Sequence, residues 1–246
     1  MGAITMGFSA WVAQSHQVGS QTRQALEEIR VSLDFVTRQL ERAVPGSLVI
    51  SPDGSEVEFL HSAYQGILDR VDGSQLSDGT VTSEGKARFR IFHLDSPATL
   101  VAHDYAFTGT PEYSASLTNP GLQFVAPEFC NAVISSVCAA TVTAMEALHF
   151  SIEDSSFTPY GGMIYFLADY RARLQVREYG EGHGLFLDLC RSSHMFSNCW
   201  QNARAFLVVA NVQDLRFRDH GAGRVEVRLT SSALPAAPQA RLVVSP

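Results

Sequence analysis

At 246 residues the chain is long enough for one large domain or two small ones, and 46% hydrophobic residues supply a core. Its formal net charge of -7 and pI near 5.6 argue against nucleic acid as the main partner, because phosphate binding needs a basic surface. The sequence has no P-loop, no GxSxG elbow and no HExxH, which removes the nucleoside-triphosphatase, α/β-hydrolase and zincin readings.

The chain opens on Met1 to Ala13 (MGAITMGFSAWVA), a stretch without charge. Beyond it Leu26, Ile29, Leu33, Val36 and Leu40 recur at steps of three and four, which places them on one face of a helix. Arg23, Glu27, Arg30, Asp34, Arg38 and Glu41 lie off that stripe, and Asp34 and Arg38 stand four apart, the spacing of a surface pair. No proline precedes Pro45, so a helix from Gly2 to Val44 of about 65 Å is expected, stopped at Pro45-Gly46. The apolar segment is shorter than the roughly 20 residues that span a bilayer. It also lacks the basic start and small cleavage-site residue of a secretory signal, since Trp11 stands three before Ala13. Two readings follow: a helix buried in the protein's own core, or the C-terminal half of a membrane helix. In the second, Ile4, Met6, Phe8, Trp11 and Val12 make membrane or filament contacts.

After Pro45 the apolar period changes to two. Leu48-Val49-Ile50 and Val57 to Phe59 predict a hairpin around Pro52-Asp53-Gly54. Asp69 to Gly85, rich in Asp, Gly, Ser and Thr, reads as a loop or a tight pair of turns. Ala87 to Leu94 alternates as a strand; Leu100 to Ala106 and Leu122 to Val125 do so more weakly. Phe129 to Ala147 is ambiguous. Met163 to Leu167, Ala172 to Arg177 and Leu185 to Leu189 read as a meander. Phe206 to Ala210, Val212 to Arg218, Val225 to Thr230 and Arg241 to Val244 complete an antiparallel set.

The four cysteines fall into two local pairs, Cys130 with Cys138 and Cys190 with Cys199. Even numbers at short spacing fit two local disulfides in an oxidising compartment, each worth about 2–3 kcal/mol on the loop-closure estimate. Buried free thiols are the alternative, and a zinc site is a third, without CxxC spacing to support it. Asp69, Asp72 and Asp78 could offer oxygens to calcium, but solvated turn formers account for them better. Gly221-Ala222-Gly223 lies between two strands and reads as a hairpin turn rather than a dinucleotide fingerprint. His183, between Gly182 and Gly184 and near Glu181, suits a hairpin tip. His194, and His103 beside Asp104, need no role beyond exposure. These residues do not assemble a nucleophile, base and orienter.

A family resemblance enters at two places. The helix followed by Arg42-Ala43-Val44-Pro45-Gly46-Ser47-Leu48-Val49-Ile50, a glycine turn and Val57-Glu58-Phe59-Leu60 resembles the minor pilins of type IV pilus systems, above all the MshO-like component of mannose-sensitive haemagglutinin (MSHA) pilus biogenesis. Val209-Ala210-Asn211-Val212-Gln213-Asp214-Leu215-Arg216-Phe217, then Val225-Glu226-Val227-Arg228-Leu229-Thr230, is similar to the last strands of MshO-like, PilW-like and J-type type II secretion pseudopilins. The resemblance covers both ends well and the middle poorly. It implies a leader cut by a prepilin peptidase and a Phe-Thr-Leu-Ile-Glu run. Neither stands in this sequence, so on that alignment Met1 falls inside the membrane helix.

The sequence therefore predicts an α+β, pilin-like fold: a long N-terminal helix over 1–44, packed on an antiparallel β-sheet head over 45–246. The expected function is non-enzymatic, a subunit for assembly, initiation or the tip of a type IV pilus or pseudopilus, with cell adhesion among the roles of the head. Partners are other pilin-like subunits through the helix, and the inner membrane before assembly; no nucleic acid, cofactor or metal is expected. The head lies in the periplasm and then on the filament. A secreted or periplasmic ligand-binding module, carbohydrate among its ligands, is the competing reading. A hydrolase working through His183 or Asp188 is the third.

Overall fold

The computed structural model describes residues 2–78, 86–96, 99–108, 117–118, 121–130, 136–146, 149–153, 155–191, 196, 199–221, 223–232 and 239–244. Among the described residues one α-helix, α1 (Gly2–Leu40), precedes fifteen strands. The first nine are β1 (Val49–Ile50), β2 (Glu56–Asp72), β3 (Gln75–Asp78), β4 (Lys86–Ser96), β5 (Thr99–Thr108), β6 (Leu117–Thr118), β7 (Gln123–Val125), β8 (Ala139–Glu146) and β9 (His149–Ile152). The rest are β10 (Ile164–Tyr179), β11 (Gly182–Arg191), β12 (Arg204–Ala210), β13 (Val212–Asp219), β14 (Arg224–Ser231) and β15 (Gln239–Val244).

The α+β expectation is corrected here. Among the described residues 57% are strand and 19% α-helix, so this is a mostly antiparallel β protein with a single described α-helix, not a long helix layered on a sheet. The shortfall in the sequence reading lies in the strands. β2 runs for 17 residues and β10 for 16, each longer than the periodic segments that announced them. Of the stretch from Asp69 to Gly85, expected as a loop or a tight pair of turns, the described part ends β2, turns tightly at Gly73 and forms β3, with Asp72 opposite Gln75; residues 79–85 lie outside the described residues. Gly73 takes a φ of 59° at the first turn position, the conformation a two-residue hairpin asks of glycine. The ambiguous Phe129 to Ala147 stretch contributes β8.

The sheet pairings form a closed circuit. β2 pairs β10 along most of its length, β3 extends β2, and β3, β9, β8 and β7 lead back to β10. The circuit holds an aromatic-rich core of Leu68, Leu122, Phe124, Phe150, Met163 and Tyr165 with their neighbours. Phe124 stacks on Tyr165 at 5.2 Å and on Phe157 at 5.9 Å between ring centroids. Tyr165 lies opposite Gly66, and a Cβ there would stand 2.7 Å from the ring. Glycine at 66 is what lets the ring lie flat over β2.

The far ends of β2 and β10 join β11 and β12 in a second region. Its inner face meets the three-stranded sheet β13-β14-β15, and α1 adds Ile29, Leu33, Val36 and Leu40 to a core otherwise made mainly of strand residues. Asn211, with a φ of 59°, makes the short step from β12 to β13. β4 and β5 form a separate two-stranded ribbon. No helix among the described residues is long and apolar enough to cross a membrane.

Candidate functional site

The helix and its joint to the body form the first candidate. Buried positions on α1 run Ala25, Ile29, Ser32, Leu33, Val36 and Leu40, close to the expected stripe but with one correction. Leu26, expected to pack, is 41% exposed, and Ala25 takes its place. The reason is angular: stepping back four from Ile29 reaches Ala25, and Leu26 lies about 100° further round at 3.6 residues per turn. Leu26 instead lines a groove of about 420 Å³ with Glu27, Arg30, Leu33, Gln239 and Arg241, between α1 and β15. Asp34, expected to pair with Arg38, is hydrogen-bonded by the Arg241 guanidinium of β15. That bond, with smaller help from Arg241, Arg30 and Arg38 charges, holds its carboxyl below the ordinary range. Ile4, Met6, Phe8, Trp11 and Val12 lie on α1, with side chains outside the described residues.

The helix stops at Leu40, four residues before the predicted end. The cause is the Arg42 to Ser47 motif, which works as a joint. Ala43 bridges His61, the Val44 N–H donates to Leu60 O at 2.8 Å, and the Ser62 N–H donates to Arg42 O at 2.7 Å. The chain thus becomes a short strand partner of β2 before Pro45 is reached. Gly46 turns at a φ of 77°. The Ser47 hydroxyl donates to Val44 O at 2.6 Å and accepts from the Leu60 N–H at 3.0 Å. Beneath the joint His61 Nδ1 lies 2.7 Å from Asp169 Oδ1, both side chains buried. Asp169 sits at a register shift of β10.

The second candidate is the outer face of β2, β10 and β11. Period-two alternation turns Ala172 and Leu174 inward and Arg171, Arg173, Gln175 and Arg177 outward. Arg171 pairs with Glu58. Asp188, 2% exposed, accepts from Arg173 Nη2 at 3.0 Å, Gln175 Nε2 at 2.7 Å and Arg177 Nη2 at 2.6 Å. Burial raises the Glu56 carboxyl, against the pull of Arg173. Trp200 stands over this ladder, its ring 4.3 Å from the Arg173 guanidinium and 5.2 Å from that of Arg171. Both Asp188 oxygens are occupied by cationic or amide donors, so its geometry is that of a structural anchor.

The cysteine pairs part company. Cys130 and Cys138 form a disulfide with an S–S distance of 2.06 Å. The second expected link is corrected: Cys190 and Cys199 are buried free thiols, and the Cys190 Sγ–H points to Arg191 O at 3.7 Å. Burial of Cys190 against β11, and then its neighbour Cys199, push its thiol up to about 12.

The remaining candidates scatter. His183 faces Glu178 across the β10–β11 hairpin, exposed. Gly221 and Gly223 turn β13 into β14 at φ of 74° and 71°. Asp69 lies within β2, Asp72 ends it and Asp78 ends β3, and no cluster of three or more metal-ligating side chains occurs among the described residues. His194 lies outside the described residues, and so do the side chains of His103 and Asp104. The sequence reading missed the Asp188 ladder, the His61–Asp169 pair and the Arg241 latch. The ladder carried a signal, arginines two apart in ADYRARLQVRE, whose same-face placement follows once a strand is assigned. The other two join residues more than 100 apart and had none.

Comparison with protein-family models, curated proteins and solved structures finds no match to this chain.

Proposed function

We propose that this chain is a non-enzymatic, minor pilin-like subunit that joins a type IV pilus or type II secretion pseudopilus through α1. The observation that carries the reading is the way the helix is held. A 39-residue helix enters the core only from Ala25 onward among its described side chains. It is then bolted to β2 by the Arg42 to Ser47 joint. A helix fixed at its C-terminal end and uncharged over Met1 to Ala13 suits contact with neighbouring helices or the apolar part of the inner membrane. As a helix those thirteen residues measure about 20 Å, less than the roughly 30 Å hydrocarbon layer. The extracytoplasmic β body then selects partners. The motif that resembles minor pilins coincides with the joint, which gives the resemblance a physical content. A sugar-stacking role for Trp200 is less well supported, because arginines already occupy its ring.

Photo-crosslinking from Phe8 and Trp11, in cells that make the protein, tests the reading. Crosslinks to other pilin-like subunits, with the protein extracted from inner membranes by detergent, are expected. A detergent-independent soluble monomer crosslinked only to its own strands would overturn it.

A further inference from the structure

The thiol pair of β11 has a use that the joint and ladder do not explain. Cys190 stands opposite Arg171 on β10. Cys199 opens the short turn Cys199–Asn202, which packs on β11. The next residue in that turn is Trp200, which covers Arg171 and Arg173. The two thiols are therefore buried where the turn packs on the sheet, beside the point at which Trp200 covers the arginines. The same chain already carries a disulfide across eight residues at Cys130 and Cys138, so it folds with one cysteine pair oxidised.

We propose that Cys190 and Cys199 form a redox-sensitive dithiol, which an external disulfide oxidises to a second intrachain link that fastens the Trp200 turn over the arginine ladder. The Cys199 thiolate attacks one sulfur of the external disulfide, forming a mixed disulfide and releasing one thiolate. Cys190 then gives up its proton and attacks the Cys199 sulfur, expelling the second thiolate. Two S–H bonds are lost and one S–S bond forms; the external disulfide takes both electrons and both protons and leaves as two thiols. Because Cys190 and Cys199 are buried, the exchange waits for the turn to lift from β11. Oxidation then holds it down.

The test uses the full chain carrying Trp11→Phe, which leaves Trp200 as its one tryptophan. The folded protein is treated with oxidised glutathione, and non-reduced peptides are mapped. The expected result is a Cys190–Cys199 peptide, a mass loss of about 2 Da relative to the singly linked form, and reduced acrylamide quenching of Trp200. The Cys130–Cys138 link is the internal control. Cys190 and Cys199 still alkylatable while that link is intact would overturn the proposal, as would a link from either to Cys130 or Cys138. A Cys190–Cys199 link that leaves Trp200 quenching unchanged would overturn the fastening role.

Discussion

The two largest hydrophobic cores among the described residues are closed in different ways. The circuit of β2, β3, β9, β8, β7 and β10 seals itself by strand pairing around stacked aromatic rings, and the Cys130–Cys138 link lies beside it, between β7 and β8. The helix-side core is not sealed by pairing. Two sheets face each other there, and α1 supplies a side of the packing. The first region needs only residues from the middle of the chain, whereas the second draws on both ends. β2 and β10 run through both regions, so the regions are mechanically one body despite their different closure.

That comparison is open to breakage by substitution. Phe124→Ala removes the ring that stacks on Tyr165 and Phe157 and should cost about 3–5 kcal/mol; Leu33→Ala should cost about 2–5 kcal/mol from the helix side. Because β2 and β10 are shared, urea unfolding followed by fluorescence and by circular dichroism should shift as one transition in both variants. Two separated transitions would show that the regions unfold independently. Leu26→Ala, one residue from the stripe, should change stability by less than about 0.5 kcal/mol; a loss as large as that of Leu33→Ala would refute the helix orientation.

Replacing both Cys130 and Cys138 by serine should cost about 2–3 kcal/mol by releasing a short loop in the unfolded chain, read from the denaturation midpoint. Asp188→Ala leaves Arg177 without its carboxylate and Arg173 with only the more distant Glu56, at 3.8 Å. Since both arginines reach solvent, the expected loss is about 1–3 kcal/mol rather than the full penalty of a buried charge. An unchanged thermal midpoint would show that the ladder adds nothing to stability.

The smallest effect concerns the β1–β2 turn. The Asp53 carboxylate accepts from the hydroxyls of Ser51 and Ser55, and those bonds hold it down at about 2. Its folded value lies below the unfolded one near 4, so its contribution is present above about pH 4 and is lost as pH falls toward 2. An NMR titration of Asp53 should move upward in Ser51→Ala; an unmoved midpoint would assign the shift elsewhere.

Much of the outline was legible along the chain because its signals are local. Helical spacing from Ile29 to Leu40 foretold the buried stripe. Pro52-Asp53-Gly54 foretold the first hairpin, with Val49 opposite Glu58. Alternation from Val212 and from Val225 foretold β13 and β14. From Asp69 to Asp78 the polar residues announce a loop or tight turns, and the structure has the tight turn at Gly73 but with strand on both sides of it, because a hairpin near a sheet end needs no apolar face. The function classes excluded by charge and missing motifs also came from residues alone.

Other features were decided only in three dimensions. Whether Ala25 or Leu26 faces the body depends on where β14 and β15 meet the helix, contacts nearly 200 residues away in sequence. The closure of six strands into a circuit depends on β10 pairing β2 on one stretch and β7 on another. No periodicity encodes that choice of partners. The two cysteine pairs look alike in sequence, with separations of eight and nine, yet one is linked and the other stands as thiols beneath a turn. Local pattern determined which segments are helix or strand and which faces are apolar, since period and turn chemistry act within a few residues. Pairing partners, burial of charges and the state of each cysteine pair were set by tertiary contact, where the free energy belongs to groups brought together from distant parts of the chain.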